Sequence, residues 1–259
     1  MVNSNVTVSN NYFVQSDGEN EIITNKSKGN TFINNTFRRC RGSLVLRHGS
    51  HATVDGNYFL GENVDGTGGI RITDSEHTIS NNYIQDCITT QSNAKWNNGI
   101  TFIGGSANAD VSCTSDNVSN GYQESKNITV SNNTFMNTNA PLFYNTDKGS
   151  TDPTGSVTNN LIYFQNGNQN ISDVISGDTE NSYNNLGKVL NYSGNVYTGS
   201  TLGETNIGFT EDTNITATAP AAPEINPGLP PKIAVIKPII NAPESAINGS
   251  ICATKANAT

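Results

Sequence analysis

Apolar and polar residues alternate along this chain in short runs with a period of two, and no stretch keeps the 3.6-residue rhythm of an amphipathic helix. One phrase recurs: an alternating strand, then Asn or Gly, then Asn-X followed by an aromatic or aliphatic residue. It appears as VTVSNNYF ending at Phe13, NTFINNTF at Phe37, ATVDGNYF at Phe59, HTISNNYI at Ile84 and ITVSNNTF at Phe135. Looser copies surround Asn160-Leu161-Ile162 and Asn195-Val196-Tyr197. With the second Asn as anchor, Asn11, Asn35, Asn57 and Asn82 lie 24, 22 and 25 residues apart. The next gap, 51 residues to Asn133, fits two coils or one coil plus a long loop.

Each repeat holds a second short strand: EIITNKS from Glu21, SLVLRHG from Ser43, GGIRITD from Gly68, NGITFIG from Asn98 and APLFYNT from Ala140. Short strands at a fixed period with no helix between them predict a solenoid of stacked parallel strands. The leucine spacing of leucine-rich repeats is absent, and a β-sandwich would not return to one phrase so regularly. The expected fold is all-β, a right-handed parallel β-helix over residues 1–215. Seven of the nine prolines lie between Pro220 and Pro243, so residues 216–259 read as a Pro-rich tail, extended or partly disordered. Within it, Lys232 to Ile240 could add one strand or cover the end of the core.

Composition supports this reading. The chain has 41 asparagines and 24 glycines but only 14% charged residues, a content suited to many tight turns. Asn at equivalent turns can stack as a side-chain ladder. Cys40, Cys87, Cys113 and Cys252 show no metal-binding spacing. A Cys87–Cys113 bridge and buried thiols are both open. No apolar span is long enough for a membrane helix, and the first residues are not expected to act as a signal peptide.

Charge changes the picture more. All five arginines fall between Arg38 and Arg71. With Lys26 and Lys28 they give seven cations against Asp55, Glu62 and Asp65, a local +4 in a chain of net charge -8. A basic stripe on an acidic protein fits a cleft for an anionic ligand, although a solvated face is the plainer alternative. Lys26, Arg47 and Arg71 recur in, or at the end of, the second strand of three successive coils. Neighbouring strands lie about 5 Å apart, so these cations are expected to form a ladder along one face. Glu19 and Glu21, two residues apart on a strand, can converge on one point, as a hard-cation site or as a salt-bridged surface.

Residues 19–84 resemble polysaccharide lyase family 6, which contains alginate lyases and chondroitinase B. The segment E-x-E-x-x-x-x-K (Glu19, Glu21, Lys26) is similar to the family's calcium-ligand and catalytic-lysine segment. Arg47-His48-Gly49 is similar to the segment carrying its catalytic arginine. The resemblance implies Glu19 and Glu21 as Ca²⁺ ligands, Lys26 as general base and Arg47 as the group at the departing O4. It further implies that Arg71 holds a neighbouring sugar carboxylate and that His48 orients Arg47 or touches substrate. A bound Ca²⁺ would neutralise the uronate carboxylate. The implied reaction is β-elimination on an anionic polysaccharide, alginate by analogy, by a secreted or periplasmic bacterial enzyme.

The family's calcium site also takes an Asn one coil upstream of Glu19. Met1-Val-Asn-Ser-Asn already reads as the interior of a repeat, so an N-terminal truncation and an incomplete Ca²⁺ site are expected. The same scaffold could act on dermatan or chondroitin sulfate, or could be a non-catalytic carbohydrate-binding β-helix. A pectate-lyase-like or epimerase β-helix would carry different acid clusters. No nucleic-acid partner is expected. Loops 93–98 and 107–123 are expected to bear on uronate preference.

Overall fold

The computed structural model describes residues 3–90, 97–110, 121–178, 190–203, 208–217 and 240–241. Three short strands make each coil. The first coil is β1 (Thr7–Ser9), β2 (Tyr12–Val14) and β3 (Glu21–Asn25), and the second is β4 (Thr31–Ile33), β5 (Thr36–Arg38) and β6 (Gly42–Leu46). The third is β7 (Thr53–Asp55), β8 (Tyr58–Leu60) and β9 (Thr67–Ile72), and the fourth β10 (Thr78–Ser80), β11 (Tyr83–Gln85) and β12 (Ile100–Ile103). The fifth is β13 (Ile128–Ser131), β14 (Thr134–Met136) and β15 (Leu142–Asn145), and the sixth β16 (Gly155–Thr158), β17 (Leu161–Tyr163) and β18 (Ile175–Gly177). β19 (Leu190–Ser193), β20 (Asn195–Thr198) and β21 (Phe209–Glu211) continue the stack.

Corresponding strands stack into three parallel sheets. Their orders are β1-β4-β7-β10-β13-β16-β19, β2-β5-β8-β11-β14-β17-β20-β21 and β3-β6-β9-β12-β15-β18. This is the expected right-handed parallel β-helix, with no helix among the described residues. Among the described residues no helix is therefore long and apolar enough to cross a membrane. In the tail, β22 (Thr216–Ala217) pairs antiparallel with β23 (Ile240–Asn241). The rest of the Lys232–Ile240 segment lies outside the described residues.

The recurring phrase has a direct physical cause. Its first position (Asn10, Asn34, Gly56, Asn81, Asn132, Asn159, Gly194) has φ between 54° and 65° at every coil, a left-handed turn that Asn and Gly tolerate. From Asn35 onward, the Asn that follows is turned inward and buried. Asn35, Asn57, Asn82, Asn133 and Asn160 each donate Nδ2 to the Oδ1 of the next rung at 2.9–3.0 Å. The same Oδ1 accepts the backbone N–H of the preceding Asn, at 2.9 Å for Asn35 onto Asn57. A buried amide is costly only when unpaired, and this ladder pairs every rung. The 51-residue gap is thereby settled as one coil plus loops, because Asn82 donates directly to Asn133.

The residue two places past each ladder Asn points into the core. Phe13, Phe37 and Phe59 stack there at 4.8 and 4.7 Å between centroids. Opposite them lie Leu44 and Leu46, Ile70 and Ile72, Ile100 and Phe102 from the third sheet. Alternation then aims the intervening residues of that sheet outward, and this face carries the candidate chemistry. Cys40 and Cys87 are free and buried, so no Cys87–Cys113 bridge forms. Cys113 and Cys252 lie outside the described residues.

Candidate functional site

β3 ends at Asn25 and β6 at Leu46, and these two residues are register partners. Lys26 and Arg47 follow them directly, and Arg47 N–H donates to the Asn25 carbonyl at 2.9 Å. The first two rungs of the expected cationic ladder are thus neighbours, Lys26 exposed and Arg47 half-buried. Arg71 departs from the ladder. It pairs in register with Val45, and the rung beyond Leu46 is taken by Thr73. The register shift between Gly42 and Leu44 raises the coil-to-coil offset from 25 residues to 26, whereas Arg71 follows Arg47 by 24, so Arg71 falls two residues short of that rung.

Arg71 has no accessible surface, and its Nη2 donates to Glu21 Oε1 at 2.5 Å. Thr24 donates its hydroxyl to Glu21 Oε2. Glu21 is therefore held by two donors, while Glu19 lies exposed in the bend before β3. Ca²⁺ asks for six to eight oxygen ligands. Among the described residues there is no group of three or more His, Cys, Asp or Glu side chains able to hold a metal. Two carboxylates, one already engaged by a guanidinium and a hydroxyl, do not by themselves make up a calcium site.

The corner carrying Arg47 is tightly specified. His48 adopts φ 60°, and a Cβ at Gly49 would lie 2.3 Å from the Ser27 carbonyl oxygen, so only glycine fits there. His48 is buried and its Nδ1 accepts from Gln123 Nε2 at 2.7 Å. Burial, then the positive charges of Arg47 and Lys26, hold the imidazole below its ordinary range, which favours its neutral form.

Most of the basic stripe is neutralised. Lys28 pairs with Asp110, Arg38 with Glu62, Arg41 with Asp17 and Arg71 with Glu21. Among the described residues no carboxylate forms an ion pair with Lys26 or Arg47. Arg47 Nε is buried with no hydrogen-bond partner there, a state that costs about 1–3 kcal/mol unless an acceptor arrives.

Two further residues escaped the sequence reading. The Arg47 guanidinium lies 4.3 Å from the Tyr122 ring centroid, and Lys148 Nζ lies 5.4 Å from the same ring. Tyr122 is held there by contacts among residues 104–110 and 121–127, the described parts of the segment after β12. Asp110 meets Lys28, accepts from Ser50 Oγ at 2.6 Å and donates its N–H to Asp74 at 2.8 Å. Gln123 forms a bridge with Ala107, and both Ser106 and Ala107 donate to the Tyr122 carbonyl at 3.1 Å. The one available signal was the irregular spacing at 107–123. Of the other loop expected to tune preference, residues 93–96 lie outside the described residues.

A family model described as Chondroitinase B matches residues 1–222. The structure superposes on the PL6 family alginate lyase AlyGC in a mutant form, with TM-score 0.69 and 27% identity, covering 95% of this chain and 29% of that one. It is also similar to a mannuronic acid specific family 6 lyase from human gut microbiota, with TM-score 0.66, 26% identity and coverage of 82% and 46%. A PL6 alginate lyase in complex with a trisaccharide gives TM-score 0.64, 25% identity and coverage of 83% and 46%. The chain thus spans less than half the length of each of these structures. Among curated proteins, none matches the chain.

Proposed function

The chain belongs to the chondroitinase B family of polysaccharide lyases, and we propose that it cleaves alginate by β-elimination at Lys26 and Arg47. The observation that carries the proposal is the pair itself. Two adjacent cations, with no carboxylate counter-ion among the described residues, end neighbouring strands of a stripe whose other members are mostly paired. A polyuronate supplies the missing negative charge.

The chemistry follows from the groups present. Lys26 takes the C5 proton of a bound uronate. The released electron pair forms the C4–C5 double bond, the C4–O4 bond breaks, and O4 leaves as an alkoxide that gains a proton from water. Arg47 stays charged throughout, so it acts by donating hydrogen bonds from its guanidinium to O4. Tyr122 stacks on the guanidinium face and leaves its in-plane donors available. His48, neutral and fastened by Gln123, holds the turn from which Arg47 projects. Arg71, buried and paired with Glu21, braces the sheet beside Arg47 and presents no surface to a sugar carboxylate.

Alginate is favoured because AlyGC and the trisaccharide complex are named as alginate lyases, whereas the matching family model carries the name of a chondroitinase. A polymeric substrate of this size is met outside the cell membrane, in keeping with a secreted or periplasmic enzyme. Incubation with alginate, dermatan sulfate and pectate, followed by ultraviolet absorbance of the unsaturated uronate, tests the reading. Growth of signal on alginate supports it. Signal on dermatan sulfate alone transfers the mechanism to a glycosaminoglycan, and binding without signal on any polymer sinks the lyase reading.

A further inference from the structure

Lys26, Arg47 and Lys148 lie in that order along the helix axis. Lys26 closes the first coil's third-sheet strand and Arg47 the second's, while Lys148 follows β15 in the fifth. β6 and β15 are three strand steps apart, about 14 Å at the usual inter-strand spacing. Arg47 and Lys148 nevertheless meet at one aromatic ring, at 4.3 and 5.4 Å from the Tyr122 centroid. The Lys148 turn is shaped for this. Gly149 N–H donates to the Thr146 carbonyl at 3.1 Å, and a Cβ at Gly149 would lie 2.6 Å from the Gly105 backbone, so the turn is pressed against the strand that leads into the Tyr122 excursion.

We propose that Tyr122 and Lys148 form a carboxylate-binding subsite for the uronate on the leaving-group side of the scissile bond. This rests on the lyase reading above. Lys26 marks the sugar that loses its C5 proton, and Arg47 marks O4, which departs with the next sugar. Continuing in the same direction, that next sugar arrives at Lys148. A uronate brings a carboxylate for the exposed Lys148 ammonium and an apolar ring surface for the part of the half-buried Tyr122 side chain that Arg47 leaves uncovered. Lys148 lies beyond the stripe identified by charge clustering and enters the site only through the fold.

The test is calorimetric binding of a short oligouronate from alginate, and of the same oligomer with its carboxylates reduced to alcohols. The wild-type chain is compared with Lys148→Gln, Tyr122→Leu and Tyr122→Phe. Lys148 is exposed, so its replacement leaves folding intact. Lys148→Gln is expected to weaken the charged oligomer about tenfold and leave the reduced one unchanged. Tyr122→Leu is expected to weaken both, and Tyr122→Phe neither. Equal loss of both oligomers in Lys148→Gln, or no loss, overturns the subsite while leaving the lyase reading intact. Failure of the wild-type chain to bind the charged oligomer overturns both.

Discussion

Glu21 and Arg71, fifty residues apart, form an ion pair that passes over an entire strand. Glu21 lies on β3 and Arg71 on β9, with β6 between them. Val45, the register partner of Arg71, points away from the core cluster yet has no exposed surface beneath this arrangement. The pair thus ties the first coil to the third and fixes the charge behind Arg47.

Glu21→Gln would leave a fully buried guanidinium without its carboxylate. Breaking one side of a buried pair typically costs about 3–5 kcal/mol, and the partial exposure of Glu21 places the expectation at the lower end. Denaturant unfolding of wild type and variant checks this. A change below about 1 kcal/mol would show that the pair is solvated and replaceable.

Asn57 is the middle of the amide ladder. Asn57→Ala removes the acceptor for both the N–H and Nδ2 of Asn35, and the donor to Asn82 and to the Phe32 carbonyl. Several buried groups lose partners together, so a loss of about 2–4 kcal/mol is expected. Exposed Asn11 at the end of the ladder serves as the comparison, with a loss under about 1 kcal/mol for Asn11→Ala. Equal effects at the two positions would contradict a cooperative ladder.

Much of this architecture was legible because each coil repeats one solution to one problem. The left-handed turn and the inward amide force Asn or Gly at fixed places, and Asn11, Asn35, Asn57 and Asn82 therefore printed the period. Lys26 and Arg47 were legible for the same reason, since both stand one residue past a repeated strand. Arg71 looked equivalent by sequence spacing, yet it follows Arg47 by 24 residues where the register asks for 26, and the shift at Gly42 and Leu44 supplies one of those two residues. Tyr122 and Lys148 follow no period. They come from excursions between coils, where contacts such as Asp110 with Lys28 and Ser50 decide the path, and no local pattern encodes those.

His77 makes stability depend on pH. It has no exposed surface, its Nδ1 accepts from Ala52 N–H at 3.0 Å, and its Nε2 lies 2.9 Å from the Thr73 carbonyl as donor. Burial pushes its pKa down to about 4, below the ordinary 6.5. The unfolded chain thus binds this proton more readily, and the contribution of His77 is lost as pH falls from 6.5 toward 4. Between pH 7 and pH 5 the wild type is expected to lose about 2 kcal/mol more than His77→Gln. Parallel pH profiles for the two proteins would show that His77 titrates normally in the fold.

The role of Lys26 beside Arg47 is tested most directly by the initial rate of unsaturated uronate formation from alginate, by wild type and by Lys26→Ala at matched concentration. Loss of a positioned general base is expected to lower the rate by about 10²–10⁴-fold, with the fold and oligouronate binding retained. A Lys26→Ala protein that forms unsaturated product at the wild-type rate would contradict the assignment of the proton-abstracting group.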